Sequence, residues 1–202
     1  EAVLLLWLSQ KSGIQLMKRA SAIVMLLMIG SLVLDWKQIY FEHRDFVMPY
    51  GGFYLPIIWN RGFITSMIAV AGIFTSIFFL KKETQEFIVP EISVNDYQKI
   101  LYLTMLVCLY TGMLLELNYQ VDKYIAFAGT RSIILGCYNY LFLISLSIVE
   151  RKKAFPYFLE SVFSLSLFAI ACYLMLYHMN AISVRNAYLA STVNLGSFLF
   201  HY

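Results

Sequence analysis

Charged residues divide this chain into long apolar runs. The clearest run covers residues 62–80, which carry no charge between the polar turn Asn60-Arg61-Gly62 and the pair Lys81-Lys82. At about 1.5 Å per residue, a helix of this length spans roughly 28 Å, which is close to the thickness of the hydrocarbon core of a bilayer. The run therefore predicts a transmembrane helix.

Further runs of the same kind follow one another along the sequence. Complete spans are predicted at 20–36, 62–80, 97–115, 131–149 and 155–177, with partial spans near 2–9 and 187–202. The polar segments between them, such as 10–19, 116–130 and 178–185, are predicted to be connectors. We predict an all-α fold, a polytopic transmembrane helical bundle, in which residues 1–202 form a single helical region.

The composition supports a membrane protein and excludes other classes. Apolar residues make up 60% of the chain and charged residues 13%, against about 25% charged in a typical soluble domain. The net charge of +3 is too small to argue for a nucleic-acid partner. The expected partners are membrane lipids and further transmembrane helices, either of the same protein or of other subunits.

The sequence contains no motif for catalysis or cofactor binding. No HExxH, CxxC, GxSxG or Walker-type loop is present. The three cysteines, Cys108, Cys137 and Cys172, all lie in apolar runs, which is typical of buried core thiols. We therefore predict no catalytic residue, no metal site and no cofactor.

Glu160 is the candidate for binding a ligand or a proton. It lies about one turn inside the span at 155–177, and an ionisable group inside a span costs about 2.5–3.5 kcal/mol on insertion scales. A protonatable carboxylate at this depth could bind a cation or relay a proton. The alternative interpretation places Glu160 at head-group depth, favoured by the helix N-terminus and by Lys152 and Lys153.

Two features predict contacts between helices. Ser66, Ala69, Gly72 and Ser76 recur every three or four residues, which places small side chains on one helix-packing face where a neighbouring helix can approach closely. Asn139 lies in the middle of a span, where a side-chain amide is expected to bond to another helix.

Glu116 and Arg131 form a candidate structural ion pair. Glu116 ends one predicted span and Arg131 begins the next, so each charge is disfavoured by the partial charge of its own helix end. Mutual pairing would relieve both penalties, and we expect a coupling of about 1 kcal/mol. The alternative is that each side chain extends separately into the head groups.

The connector 37–61 is rich in aromatic residues. The predicted aromatic outer loop includes Trp36, Tyr50, Tyr54 and Trp59. One interpretation is an aromatic belt that anchors helix ends at the membrane surface. The other is a platform that binds a sugar or a lipid head group.

A short similarity suggests an internal repeat. Residues 59–66 resemble residues 184–191, with the pair Asn60-Arg61 replaced by Arg185-Asn186. Each segment leads into a predicted span. A genuine repeat would indicate a helical array that grew by duplication.

Two segments of the chain also resemble a known family. The run EAVLLLWLSQKSGIQLMKRA at the start and the helix start PIIWNRGFIT resemble the long bacterial membrane proteins grouped as domain of unknown function 2339. The residues that carry the resemblance are Glu1, Ala2, Trp7, Leu8, Asn60, Arg61 and Phe63, although the spacing of arginine and phenylalanine departs from the family pattern. The resemblance implies a multi-pass protein of the bacterial inner (plasma) membrane with many more helices, and it implies no catalytic residue. We expect this chain to be an internal part of a longer helical array.

Three functions are compatible with these features. The small-residue helix face favours a non-catalytic scaffold or assembly component of the cell envelope. A transporter or flippase-like conduit would use the intramembrane carboxylate of Glu160. A membrane enzyme that acts on lipid-linked glycans would depend on the aromatic outer loop. The sequence favours the scaffold and leans against an enzyme.

Overall fold

The computed structural model describes residues 1–42, 55–82, 87–89, 92–151 and 159–199. Apart from one short pair of strands and the connecting turns, the described backbone is helical, so the predicted all-α fold is confirmed. Five described helices are long and apolar enough to cross a membrane: Gln15–Glu42, Arg61–Leu80, Val94–Tyr124, Ala128–Val149 and Ser164–Leu189. The chain forms two compact units, Glu1–Glu116 and Leu117–Tyr202, where the sequence predicts one helical region.

The first unit begins with a helical hairpin. Helix α1 (Ala2–Ser12) ends at Gly13, whose φ of 71° is a left-handed conformation that glycine adopts without steric penalty. Helix α2 (Gln15–Trp36) then packs against α1, and the Ser21 hydroxyl donates to an α1 carbonyl at 2.7 Å. The backbone continues from α2 into a π-helical turn, Lys37–Glu42. The predicted connector at 10–19 is therefore helical except at residues 13 and 14.

Helix α3 (Arg61–Leu80) corresponds to the apolar run at 62–80. Asn60 is its N-cap and accepts a hydrogen bond from the Phe63 N–H at 2.9 Å, a common role for asparagine. Helix α3 packs against both α1 and α2. Its buried residues are Gly62, Ser66, Ala69, Ile73, Ser76, Ile77 and Leu80.

Two short strands lead into the next span. Strand β1 (Phe87–Val89) pairs antiparallel with β2 (Ile92–Ser93). Helix α4 (Val94–Tyr124) follows directly, and the Ser93 hydroxyl accepts from the Asp96 N–H at 3.0 Å in its first turn. Helix α4 runs on through residue 116, so most of the predicted connector at 116–130 is helical. Polar residues end an apolar run without ending a helix, since the backbone hydrogen bonds of the helix do not depend on them.

The second unit contains the remaining helices. They are α5 (Ala128–Arg151), α6 (Leu159–Cys172), a π-helical turn (Tyr173–Tyr177), α7 (His178–Leu189) and α8 (Leu195–Leu199). Helices α6 and α7 join through the π-helical turn, and α5 packs against both of them. The predicted connector at 178–185 is therefore wrong, because those residues are helical.

The internal repeat and the last partial span do not agree with the structure. Asn60 precedes the first residue of α3, whereas Arg185 and Asn186 lie inside α7, so the two similar segments occupy different positions in their helices. The chain then leaves the helix after Leu189, and Ser191 has a φ of 55°. Over the described residues, the predicted span at 187–202 is therefore not one continuous helix.

Candidate functional site

The carboxylate of Glu116 joins three segments of the first unit. Glu116 is 6% exposed and lies in the candidate span Val94–Tyr124. Its Oε2 accepts from the Tyr40 hydroxyl at 3.0 Å and from Asn60 Nδ2 at 2.6 Å, and its Oε1 accepts from the Ile58 N–H at 3.1 Å. A buried polar group is tolerated when it is hydrogen-bonded, and these donors reach both carboxylate oxygens. We call these four residues the Glu116 cluster.

Asn60 connects the cluster to the start of helix α3. Its Oδ1 accepts from the Phe63 N–H at 2.9 Å and lies 3.3 Å from the Tyr40 hydroxyl. Its Nδ2 donates to the Pro56 carbonyl at 3.1 Å as well as to Glu116. One amide group therefore caps a helix, closes the turn at 55–60 and binds the carboxylate.

Ile58 contributes a backbone N–H from a strained conformation. Its φ is 65°, which is unusual for a residue with a β-branched side chain. Conformations of this kind persist where the surrounding contacts impose them, and they are concentrated at functional sites. In this conformation the Ile58 N–H donates to Glu116 Oε1.

Tyr40 reaches the carboxylate because Gly62 leaves room for its ring. Tyr40 lies on the π-helical turn and is 3% exposed. A Cβ atom at Gly62 would lie 2.8 Å from Cε2 of the tyrosine ring, a distance that real Cβ atoms do not accept. The glycine therefore allows the ring to pack against the first turn of α3.

The predicted aromatic outer loop is only partly described. Trp36 is 8% exposed and its Nε1 donates to the Ser66 hydroxyl at 2.8 Å, so it lies inside the unit and not in a loop. The prediction is wrong for Trp36, because an indole N–H can bond to a neighbouring helix as well as to head groups. Trp59 is 80% exposed in the turn at 55–60. Tyr50 and Tyr54 lie outside the described residues.

The small-residue face of α3 differs from the predicted set at one position. Ser66, Ala69 and Ser76 are buried, with exposures of 0%, 4% and 1%. A Cβ atom at Gly72 would meet nothing within 4 Å, so Gly72 does not mark a close approach of another helix. Ile73, which is 0% exposed, occupies the buried face beside it. A spacing of three or four residues selects a helix face only to within about one position.

The two members of the predicted ion pair have other partners. Arg131 binds Asp122, with 2.6 Å between Nη1 and Oδ1, inside the second unit. Glu116 accepts the three hydrogen bonds of its cluster in the first unit. The coupling of Glu116 with Arg131 stays a prediction. The sequence does not point to Asp122 because the polar segment 116–130 predicts a connector, whereas helix α4 continues to Tyr124.

Polar contacts in the second unit also join helices. Asn139 Nδ2 donates to the Tyr177 hydroxyl at 3.1 Å, which confirms the expected contact between helices. The Tyr140 hydroxyl donates to the Ala169 carbonyl at 2.7 Å. Glu160 is the second residue of α6, and its side chain lies outside the part of the chain that is described.

Metal binding and the three cysteine thiols are the other chemistry considered for the described residues. Within the described ranges, no group of three or more His, Cys, Asp or Glu side chains could hold a metal ion. Cys108 is buried and Cys172 half-buried, but Cys137 is exposed, so the prediction of a buried thiol is wrong for Cys137. A helix that is apolar all round can still expose one face at the surface of its unit, and Cys137 lies on the exposed face of α5.

Comparison with known proteins does not assign the chain to a family. No protein-family model matches the chain, and no curated protein and no solved structure matches it significantly. The resemblance to domain of unknown function 2339 stays a prediction.

Proposed function

We propose that the protein is a non-catalytic scaffold that assembles transmembrane helices in the bacterial inner membrane. The observation that carries the proposal is the use of polar side chains as links between helices. Trp36 bonds to Ser66, Gln10 Nε2 bonds to the Phe79 carbonyl at 2.8 Å, and Asn139 bonds to the Tyr177 hydroxyl. Helices in lipid associate through such hydrogen bonds and close packing, because no hydrophobic driving force acts between them.

Helix α5 provides the surface on which further helices would assemble. Only 6% of the apolar window in Ala128–Val149 is buried, against 33% of the window in Arg61–Leu80. Leu141, Ile144 and Ile148 are all more than half exposed on α5. In this proposal, helices of the same protein or of other subunits cover that surface in the native membrane.

Photo-crosslinking in native membranes tests this proposal. A photoreactive amino acid is placed at Ile144, and the matched control carries it at Ile68, which is 65% exposed on α3. We expect the probe at Ile144 to form adducts with protein and the probe at Ile68 to form adducts with lipid. Lipid adducts alone at Ile144 would contradict the scaffold.

A proton- or ion-coupled conduit is the second candidate function. It is favoured by the buried carboxylate of Glu116 in a candidate span, since ionisable groups inside spans often belong to ion pathways. The conduit requires that the reconstituted protein moves protons across sealed vesicles and that Glu116→Gln stops this movement. Vesicles that show no flux above protein-free vesicles under an imposed pH gradient would exclude a proton conduit.

A further inference from the structure

We propose that residues 56–59 form an apolar tip that inserts into one leaflet of the bilayer at the depth of the lipid head groups. The tip directly precedes the N-cap of helix α3 and consists of Pro56, Ile57, Ile58 and Trp59. Its partner is the phospholipid surface itself. The inference concerns a surface of the first unit that neither proposed function uses, so it does not depend on the scaffold or on the conduit.

All four residues of the tip are exposed. Trp59 is 80% exposed, Ile57 53% and Ile58 52%. Single exposed apolar residues are ordinary on a protein surface, but a continuous run of them marks a surface that contacts a membrane or another protein. Asn60, which follows directly, is buried and caps α3, so the exposed run ends where the helix begins.

The backbone of the tip is a tight turn that disfavours isoleucine at its centre. The Trp59 N–H donates to the Ile57 carbonyl at 2.7 Å, which closes a three-residue turn around Ile58, whose φ is 65°. A turn of this size with a positive central φ is rare and strained, and glycine would adopt that conformation at lower cost. An apolar, β-branched side chain at this position therefore points to a use for it on the outside of the turn.

Two hydrogen bonds attach the tip to the first unit. Asn60 Nδ2 donates to the Pro56 carbonyl at 3.1 Å, and the Ile58 N–H donates to Glu116 Oε1 at 3.1 Å. Both bonds use main-chain groups of the tip. The side chains of Ile57, Ile58 and Trp59 therefore keep their exposure while the backbone is held against the helices.

Charges at both ends of α3 fix the depth of the tip. At about 1.5 Å per residue, the 20 residues of Arg61–Leu80 span roughly 30 Å, the thickness of the hydrocarbon core. Lys81 and Lys82 are exposed beyond its last residue, and Arg61 pairs with Asp35 at 3.0 Å at its first. A shift of the helix in either direction would carry charge into the hydrocarbon, so the tip lies at head-group level.

The side chains of the tip suit this depth. Tryptophan is enriched at membrane interfaces because its ring is apolar and its N–H is polar, and isoleucine favours the acyl chains beneath the head groups. The head-group layer is hydrated, so a residue there contacts lipid and stays within reach of small hydrophilic reagents. A protein partner on the tip would instead exclude lipid from it.

Quenching of Trp59 fluorescence by labelled lipids tests the inference. The full chain is reconstituted in phosphatidylcholine vesicles with a nitroxide label either near the carbonyl end or near the methyl end of the acyl chain. The contribution of Trp59 is the difference between the wild type and Trp59→Phe, which keeps Trp7 and Trp36. We expect the label near the carbonyl end to quench this contribution about twice as strongly as the label near the methyl end.

Two results in the wild type would overturn the insertion at head-group depth. One is the absence of quenching of Trp59 by either label, which would place the tip away from lipid. The other is equal or stronger quenching by the label near the methyl end, which would place the tip in the hydrocarbon core.

Ile57→Asp tests the apolar side chain, and Ile57→Leu is the matched control. The charge should draw the tip toward water and reduce quenching by the label near the carbonyl end by about half, because a carboxylate is costly among acyl chains. Leucine keeps an apolar side chain and should leave the quenching unchanged. Equal quenching of Trp59 in the two variants would contradict the role of the apolar side chain in setting the depth.

Discussion

Trp36 Nε1 donates a hydrogen bond to the Ser66 hydroxyl at 2.8 Å, and this bond joins helix α2 to helix α3 inside the first unit. Both side chains are buried. We expect Trp36→Phe and Ser66→Ala each to destabilise the protein, with a coupling of about 1 kcal/mol in a double-mutant cycle. The cycle is measured by unfolding in detergent, and strictly additive losses would show that the bond contributes nothing.

Gly112 marks a close approach of α4 to α3. A Cβ atom at Gly112 would lie 2.9 Å from Cβ of Ser66, whereas a Cβ atom at Gly72 would meet nothing within 4 Å. We therefore expect Gly112→Ala to lower stability by about 1–3 kcal/mol, because the two helices must separate. Gly72→Ala is the matched control and should cost nothing measurable in the same melting experiment. Equal melting temperatures for the two variants would contradict the close approach.

Arg131 and Asp122 form a partly buried ion pair, with 2.6 Å between Nη1 and Oδ1. We expect a coupling of about 1 kcal/mol between Asp122→Asn and Arg131→Gln, above the median for surface pairs because water is partly excluded. A second double-mutant cycle, between Glu116→Gln and Arg131→Gln, is measured in the same way. This second cycle tests the ion pair of Glu116 and Arg131 that the sequence predicts. A larger coupling in the Glu116 cycle would mean that Asp122 is not the main partner of Arg131.

The apolar runs are sufficient to predict the all-α fold class and the presence of several helices that are long and apolar enough to cross a membrane. They were not sufficient for the ends of the helices, because a charge interrupts an apolar run without interrupting backbone hydrogen bonds. The predicted span at 97–115 stops before Glu116, while helix α4 continues to Tyr124. The sequence likewise does not predict the π-helical turn at Lys37–Glu42, because the polar residues after Trp36 end the apolar run without ending the helix.

The Glu116 cluster could not be predicted from sequence spacing. Tyr40, Asn60 and Glu116 come from three separate parts of the chain, and only the packing of α2, α3 and α4 brings them together. An acid at the end of an apolar run is costly, and the sequence predicts the next suitable cation along the chain, Arg131, as the partner of Glu116. The three donors of the Glu116 cluster are neutral groups, which carry no charge pattern to search for.

The central claim is that polar side chains in the first unit link helices and do not line an aqueous path. Cysteine accessibility along the buried face of α3 tests it most directly, in a background where Cys108, Cys137 and Cys172 are replaced by alanine. Single cysteines at Ser66, Ala69 and Ser76 are exposed to a hydrophilic thiol reagent in native membranes, with Trp59→Cys as the accessible control. The scaffold predicts labelling at residue 59 and none at the three buried positions. Labelling at all three buried positions would reveal a water-filled path and would contradict the scaffold.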